Sequence, residues 1–135
     1  YISVTGVQTC ALPIYTTDMV AACWRIVRFF ARESCGKCTP CREGTTWLER
    51  VLKRILDGHG RPEDIDLLME VSESISPGIA WPPRQTTICP LGPSSVSPIA
   101  SAVRRFRHEF DHYITHGRPV DGVESPFAVH AASHA

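Results

Sequence analysis

The chain has no long apolar run, no excess of either charge and no glycine-rich phosphate loop, and each gap removes a class of function. No stretch reaches the ~18 consecutive apolar residues of a membrane span, and no basic-then-apolar opening resembles a signal peptide, so a soluble, cytosolic protein without membrane insertion is expected. Lys and Arg number 14 against 14 Asp and Glu, which leaves no net field to attract nucleic acid or an anionic membrane. The local cluster Arg104, Arg105 and Arg107 reads as the solvated face of a helix. Gly58-His59-Gly60 ends one helix rather than opening another after a strand, so it is no nucleotide fingerprint. Period-two alternation is missing as well, and with it any strand of useful length.

What is there is cysteine in a particular layout. Cys35, Cys38 and Cys41 form a C-x2-C-x2-C run, and a fourth thiol, Cys89, lies far downstream beside Pro90. In a reducing compartment such a run reads as metal or redox chemistry rather than as a disulfide frame. Soft thiolates select zinc, copper(I) or iron-sulfur centres over magnesium and calcium. Structural zinc sites usually split their ligands into two separated pairs, whereas three closely spaced cysteines can grip three corners of one cube. A cubane cluster held by Cys35, Cys38, Cys41 and Cys89 is therefore favoured, with one tetrahedral zinc on the same four thiols as the alternative. Cys23 falls on the apolar stripe of a helix and reads as a small buried hydrophobe. No residue presents itself as catalytic, and His59 sits in a glycine-flanked turn.

The 135 residues suffice for one domain with a core. Helical spacing over Asp18 to Arg32, with Thr17 as cap, gives a first helix with Val20, Cys23, Trp24, Val27 and Phe30 on its stripe and Ile26 and Phe29 widening it. A second starts near Thr39 and Pro40 and carries Trp47, Leu48, Val51, Leu52, Ile55 and Leu56 inward, with a Glu49 to Lys53 pair outside. Gly58 and Gly60 stop it. A third opens at Pro62 and buries Ile65, Leu68, Val71 or Ser72, and Ile75. Pro77 to Pro83 is a loop that contains Trp81 and delivers Cys89. The last helix is expected to be capped by Ser94 or Ser95, to hold Pro98 in its first turn, and to turn Val96, Ile99, Val103, Phe106, Phe110 and Tyr113 to one face before Gly117 to Pro119 end it. The expected fold is all-α: a four-helix bundle with one cysteine loop between helices 1 and 2 and a second before helix 4.

Both ends read differently from this middle. Val4 to Ile14 resembles the in-frame translation of a sequencing-library adapter, so residues 1–14 are excluded from the fold and Cys10 from the ligands. Residues 15–117 are the expected helical domain. Residues 118–135, rich in Ala, His, Ser and Pro, read as a flexible tail in which His130 and His134 are incidental.

The segments Glu33-Ser34-Cys35-Gly36-Lys37-Cys38-Thr39-Pro40-Cys41-Arg42-Glu43-Gly44, Thr87-Ile88-Cys89-Pro90-Leu91-Gly92 and Phe106-Arg107-His108-Glu109-Phe110 together resemble a known family. It is the C-terminal iron-sulfur domain of the NADH-binding flavoprotein, or F subunit, of NADH-quinone oxidoreductases (respiratory complex I). Diaphorase subunits of NAD-reducing hydrogenases and formate dehydrogenases carry a similar module. The resemblance implies a [4Fe-4S] cluster on Cys35, Cys38, Cys41 and Cys89. That cluster would take electrons from FMN, itself reduced by NADH in a preceding domain, and pass them through further clusters toward quinone. It also implies an oxidoreductase assembly whose other hydrophilic-arm subunits, above all the iron-sulfur ones, are the partners, peripheral on the cytoplasmic side of the inner membrane. This stretch alone, without the FMN and NADH sites, would be inactive. Pro77 to Pro83 and Pro90-Leu91-Gly92 depart from the pattern of many relatives, which have a shorter connection and Ala-Leu-Gly.

Overall fold

The computed structural model describes residues 17–78, 84 and 86–123. Four helices follow in chain order: α1 (Met19–Glu33), α2 (Thr39–Arg54), α3 (Asp64–Ile75) and α4 (Leu91–His116), with a single π-helical turn at Ile55–His59 closing α2. The bundle is all-α, with no strand among the described residues, as the missing period-two pattern implies. The first 16 residues, Trp81 and the chain beyond Val123 lie outside the described residues, and so do Cys10, His130 and His134.

Each helix contributes one apolar stripe to a common core. Val20 and Val27 of α1, Leu48 and Leu52 of α2, Leu68 of α3 and Phe110 of α4 are all fully enclosed there. At roughly 1.5–3 kcal/mol per buried aliphatic or aromatic side chain, this packing is the main force holding the thiol-bearing loops in place. Cys23 sits inside the core at 2 % exposure, and burial pushes its thiol up to about 12, so it stays protonated and inert.

The structure shifts several expected boundaries for local physical reasons. Asp18, not Thr17, caps α1: its buried carboxylate accepts from Ala21 N at 2.9 Å, and the hydroxyl of Tyr113 on α4 donates to the same carboxylate. The second helix turns Gly44 and Thr45 inward and leaves Trp47 54 % exposed. A methyl group on Gly44 would stand 2.6 Å from Ile75 Cδ1, so only glycine lets α3 press this closely on α2. The Glu49 to Lys53 pair does not form. Glu49 Oε1 instead accepts from Trp24 Nε1 at 3.1 Å, and Lys53 pairs with Asp57.

In α3 the first helical residue is Asp64 rather than Pro62, because the buried Asp64 carboxylate accepts from Arg61 N at 2.9 Å and pairs with Arg54. Both Val71 and Ser72 are buried, the serine hydroxyl returning to Leu68 O at 2.6 Å. The fourth helix starts at Leu91, ahead of either serine, and Pro98 lies in its interior. Phe106 interrupts its regular torsions with φ −125° and ψ 28°, and its ring is only partly buried. Gly117, in the left-handed region at φ 68°, ends α4 as expected.

Candidate metal centre

The cysteine run occupies the link from α1 to α2. Ser34 closes α1 by donating its N–H to Phe30 O, and Gly36 turns the chain at φ 74°, a torsion that costs a side-chain-bearing residue energy. Cys38 is the N-cap of α2, its carbonyl taking the N–H of Arg42 at 3.0 Å. Cys41 then falls in the first turn. Its carbonyl accepts from Thr45 Oγ1 at 2.7 Å, and Ser34 Oγ lies 3.4 Å from its sulfur. The Arg42 side chain folds back to donate to Gly36 O at 3.0 Å and also to Glu43 Oε1 at 2.7 Å, so it braces the loop with its charge partly paired.

Cys89 is brought to the same end by a different set of contacts. Thr86 Oγ1 donates to the last carbonyls of α3, Ser74 O and Ile75 O, at 2.8 and 3.0 Å, and Ser76 Oγ donates to Arg84 O at 2.7 Å. Thr87 Oγ1 donates to Cys89 O at 2.8 Å. A methyl on Gly92 would meet Thr87 Cγ2 and Oγ1 at 2.6 Å, so the glycine lets the start of α4 lie flat on the cysteine loop. None of these four bracing residues carries a metal-ligand signature, which is why spacing alone does not find them.

Cys35 and Cys89 are exposed, Cys38 is half-buried and Cys41 is 5 % exposed. Burial pushes the Cys41 thiol up; the Ser34 hydrogen bond opposes this, and the neighbouring Cys38, Cys89 and Cys35 thiols raise it further. Thr86 ties the Cys89 loop to the end of α3, whose Ile75 packs on Gly44 three residues beyond Cys41. Ionising Cys41 without a cation is disfavoured, and a cationic metal core removes that penalty. Cys38 and Cys89 lie at the N-terminal ends of α2 and α4, where both helix dipoles present their positive ends to an anionic thiolate assembly. Among the described residues no three His, Cys, Asp or Glu side chains converge as they would on a single ion. Tetrahedral zinc needs its thiolates at about 2.3 Å from one point, while a cubane spreads them over separate corners. The donor set, its grouping and its two dipoles fit a cluster.

An all-α domain with a thiol-lined end of this kind is a helical iron-sulfur-binding domain. The chain belongs to the NADH-ubiquinone oxidoreductase-F iron-sulfur binding region family, whose model matches residues 21–113, and a [4Fe-4S] cluster is accordingly the cofactor of this domain. It is 42 % identical over 121 residues to the F subunit of NADH-quinone oxidoreductase from Mycobacterium bovis, covering 88 % of this chain and 24 % of that protein. It is 37 % identical over 112 residues to an F subunit of NADH-quinone oxidoreductase from Rhizobium meliloti, covering 82 % of this chain and 24 % of that protein. With the mitochondrial NADH dehydrogenase [ubiquinone] flavoprotein 1 of Dictyostelium discoideum it shares 37 % over 125 residues, covering 91 % of this chain and 24 % of the relative. The chain thus spans about a quarter of the length of these curated relatives. No helix among the described residues is long and apolar enough to cross a membrane.

Proposed function

We propose that Cys35, Cys38, Cys41 and Cys89 hold the [4Fe-4S] cluster and that the domain is an electron relay. In this reading residues 15–117 form the domain, and the segments on either side are a translated adapter (1–14) and a tail (118–135). Donors and acceptors follow from the relatives' names, which describe NADH-quinone oxidoreductase subunits. The whole protein would oxidise NADH at a flavin held in the rest of the polypeptide. The cluster would accept the electrons from that flavin and release them toward quinone through neighbouring iron-sulfur subunits on the cytoplasmic face of the membrane. A diaphorase subunit of a hydrogenase or formate dehydrogenase is the variant reading of the same module.

The observation that supports the proposal is the tie of the Cys89 loop, through Thr86, to the end of α3, whose Ile75 side chain packs on Gly44 three residues beyond Cys41. The chain's own residues then have defined tasks. Cys41, enclosed by the bundle, anchors the inner corner, while Cys35 and Cys89 stand at the surface, where a partner can approach closely. Ser34 supplies a hydrogen bond to sulfur, and Lys37 with Arg42 adds positive charge at the rim.

Anaerobic reconstitution with iron and sulfide tests the reading. The expected product is brown, binds about four irons per chain and becomes paramagnetic on reduction. A colourless chain that takes up one zinc and no iron would overturn it, and NADH:ferricyanide activity from this chain alone would overturn the placement of the flavin elsewhere.

A further inference from the structure

The C-terminal half of α4 carries His108, His112 and His116 at successive intervals of four, which sets them along one helix face, away from the thiols of the cluster site in sequence and chemistry. The last two are arranged in a specific way. Their rings stack with centroids 4.3 Å apart and planes inclined by 23°. His112 Nδ1 lies 2.9 Å from Arg118 O. A carbonyl oxygen only accepts, so Nδ1 carries the hydrogen and the neutral ring keeps its lone pair on Nε2. This outer bond fixes ring orientation and tautomer as it does in metal-bound histidines. The carbonyl is itself held in place, because Gly117 turns the chain at φ 68° and the Arg118 guanidinium pairs with Asp121.

We propose that His112 and His116 form a bidentate site for a divalent transition-metal ion of the nickel or zinc type. Two imidazole nitrogens, each about 2.0–2.1 Å from one ion, stand at most about 4.2 Å apart. Ring centroids 4.3 Å apart bring the two side chains close enough for this, and the exposed His116 ring must turn out of the stack so that its lone pair and that of His112 Nε2 converge on the ion. The site lies in the last turn of a 26-residue helix, where the negative end of the dipole favours a cation. With no third donor converging among the described residues, water would complete the coordination, which makes the ion exchangeable.

Calorimetric titration of the cluster-loaded chain with nickel(II) alone, under anaerobic conditions, tests this with the thiols already occupied. One nickel per chain is expected, weakened at least tenfold in His112→Ala and in His116→Ala and unchanged in a His130→Ala/His134→Ala double variant. Affinity retained in both α4 variants, or lost in the tail variant instead, would overturn the proposal. Both α4 positions lie on the outer face of the helix, and circular dichroism checks that each variant is folded. A folded variant with undiminished affinity counts against the site.

Discussion

Ser34 Oγ lies 3.4 Å from Cys41 Sγ, joining the end of α1 to the first turn of α2 across the cysteine loop. In the proposed ligand set Cys41 is a thiolate, so only the hydroxyl can donate and the contact is a charge-assisted hydrogen bond to a ligand sulfur. Such bonds stabilise the more negative, reduced state and raise the potential.

Ser34→Ala should therefore keep the cluster and lower its midpoint potential. A net bond of about 0.5–1.5 kcal/mol corresponds to roughly 20–60 mV for a one-electron couple. A redox titration followed by electron paramagnetic resonance reads the shift, and an unchanged or higher potential would show that the hydroxyl does not donate to the cluster.

Gly92→Ala introduces a methyl group 2.6 Å from Thr87 Cγ2 and Oγ1, where the threonine is 5 % exposed and bonded to Cys89 O. Overpacking of this kind costs about 1–3 kcal/mol. Because the displaced residue braces the Cys89 loop, a drop in iron content per folded chain should accompany the lower thermal midpoint. Gly78→Ala provides the contrast: a methyl there meets nothing within 4 Å, so the cluster should be undisturbed although its φ of +83° still strains the loop.

Glu109 faces the start of α1, with Met19 N donating to its Oε2 at 2.9 Å. Burial raises its carboxyl above the ordinary glutamate range; the Met19 bond opposes this, Asp18 raises it further, and His108 lowers it. The folded state thus holds this proton more tightly than the unfolded chain. The resulting stability is present below the ordinary glutamate pKa of about 4.3 and is lost as pH rises through the raised folded value. Glu109→Gln keeps an acceptor for Met19 and has no proton to lose. Its thermal midpoint should match the parent near pH 4 and exceed it at pH 7, and a midpoint below the parent at pH 7 would contradict the sign.

Much of this architecture is legible in the sequence, because helical spacing, proline at the start of α2 and glycine after α2 and α4 all act locally. The errors fall where tertiary contact overrides local pattern. Trp47 sits at a position that an apolar stripe would bury, yet the bundle rotates α2 toward Gly44 and Thr45, since a helix packs most closely where side chains are smallest. Glu49 and Lys53 have the right spacing to pair, but Trp24 and Asp57 offer partners of their own. Serine is the residue type that local pattern favours as a cap, yet α4 begins at Leu91, ahead of Ser94 and Ser95. Pro93 is no obstacle to that earlier start, because a proline in the first turn forfeits no helical bond. The four cysteines proposed as ligands stand out by type and spacing. Ser34, Thr86, Thr87 and Gly92 are not, since each acts only through a neighbour brought close by the fold.

Cys89→Ser, reconstituted anaerobically, asks whether the remote thiol completes the set begun by the C-x2-C-x2-C run. Iron and sulfide counting on that variant beside Cys38→Ser and Cys23→Ala should show the four-iron cluster lost in both serine variants. Their cooperative unfolding should weaken with it, because metal-site free energy is folding free energy in a small domain. Cys23→Ala should keep about four irons. A full, stable four-iron cluster in Cys89→Ser, or its loss in a folded Cys23→Ala, would place the fourth ligand elsewhere.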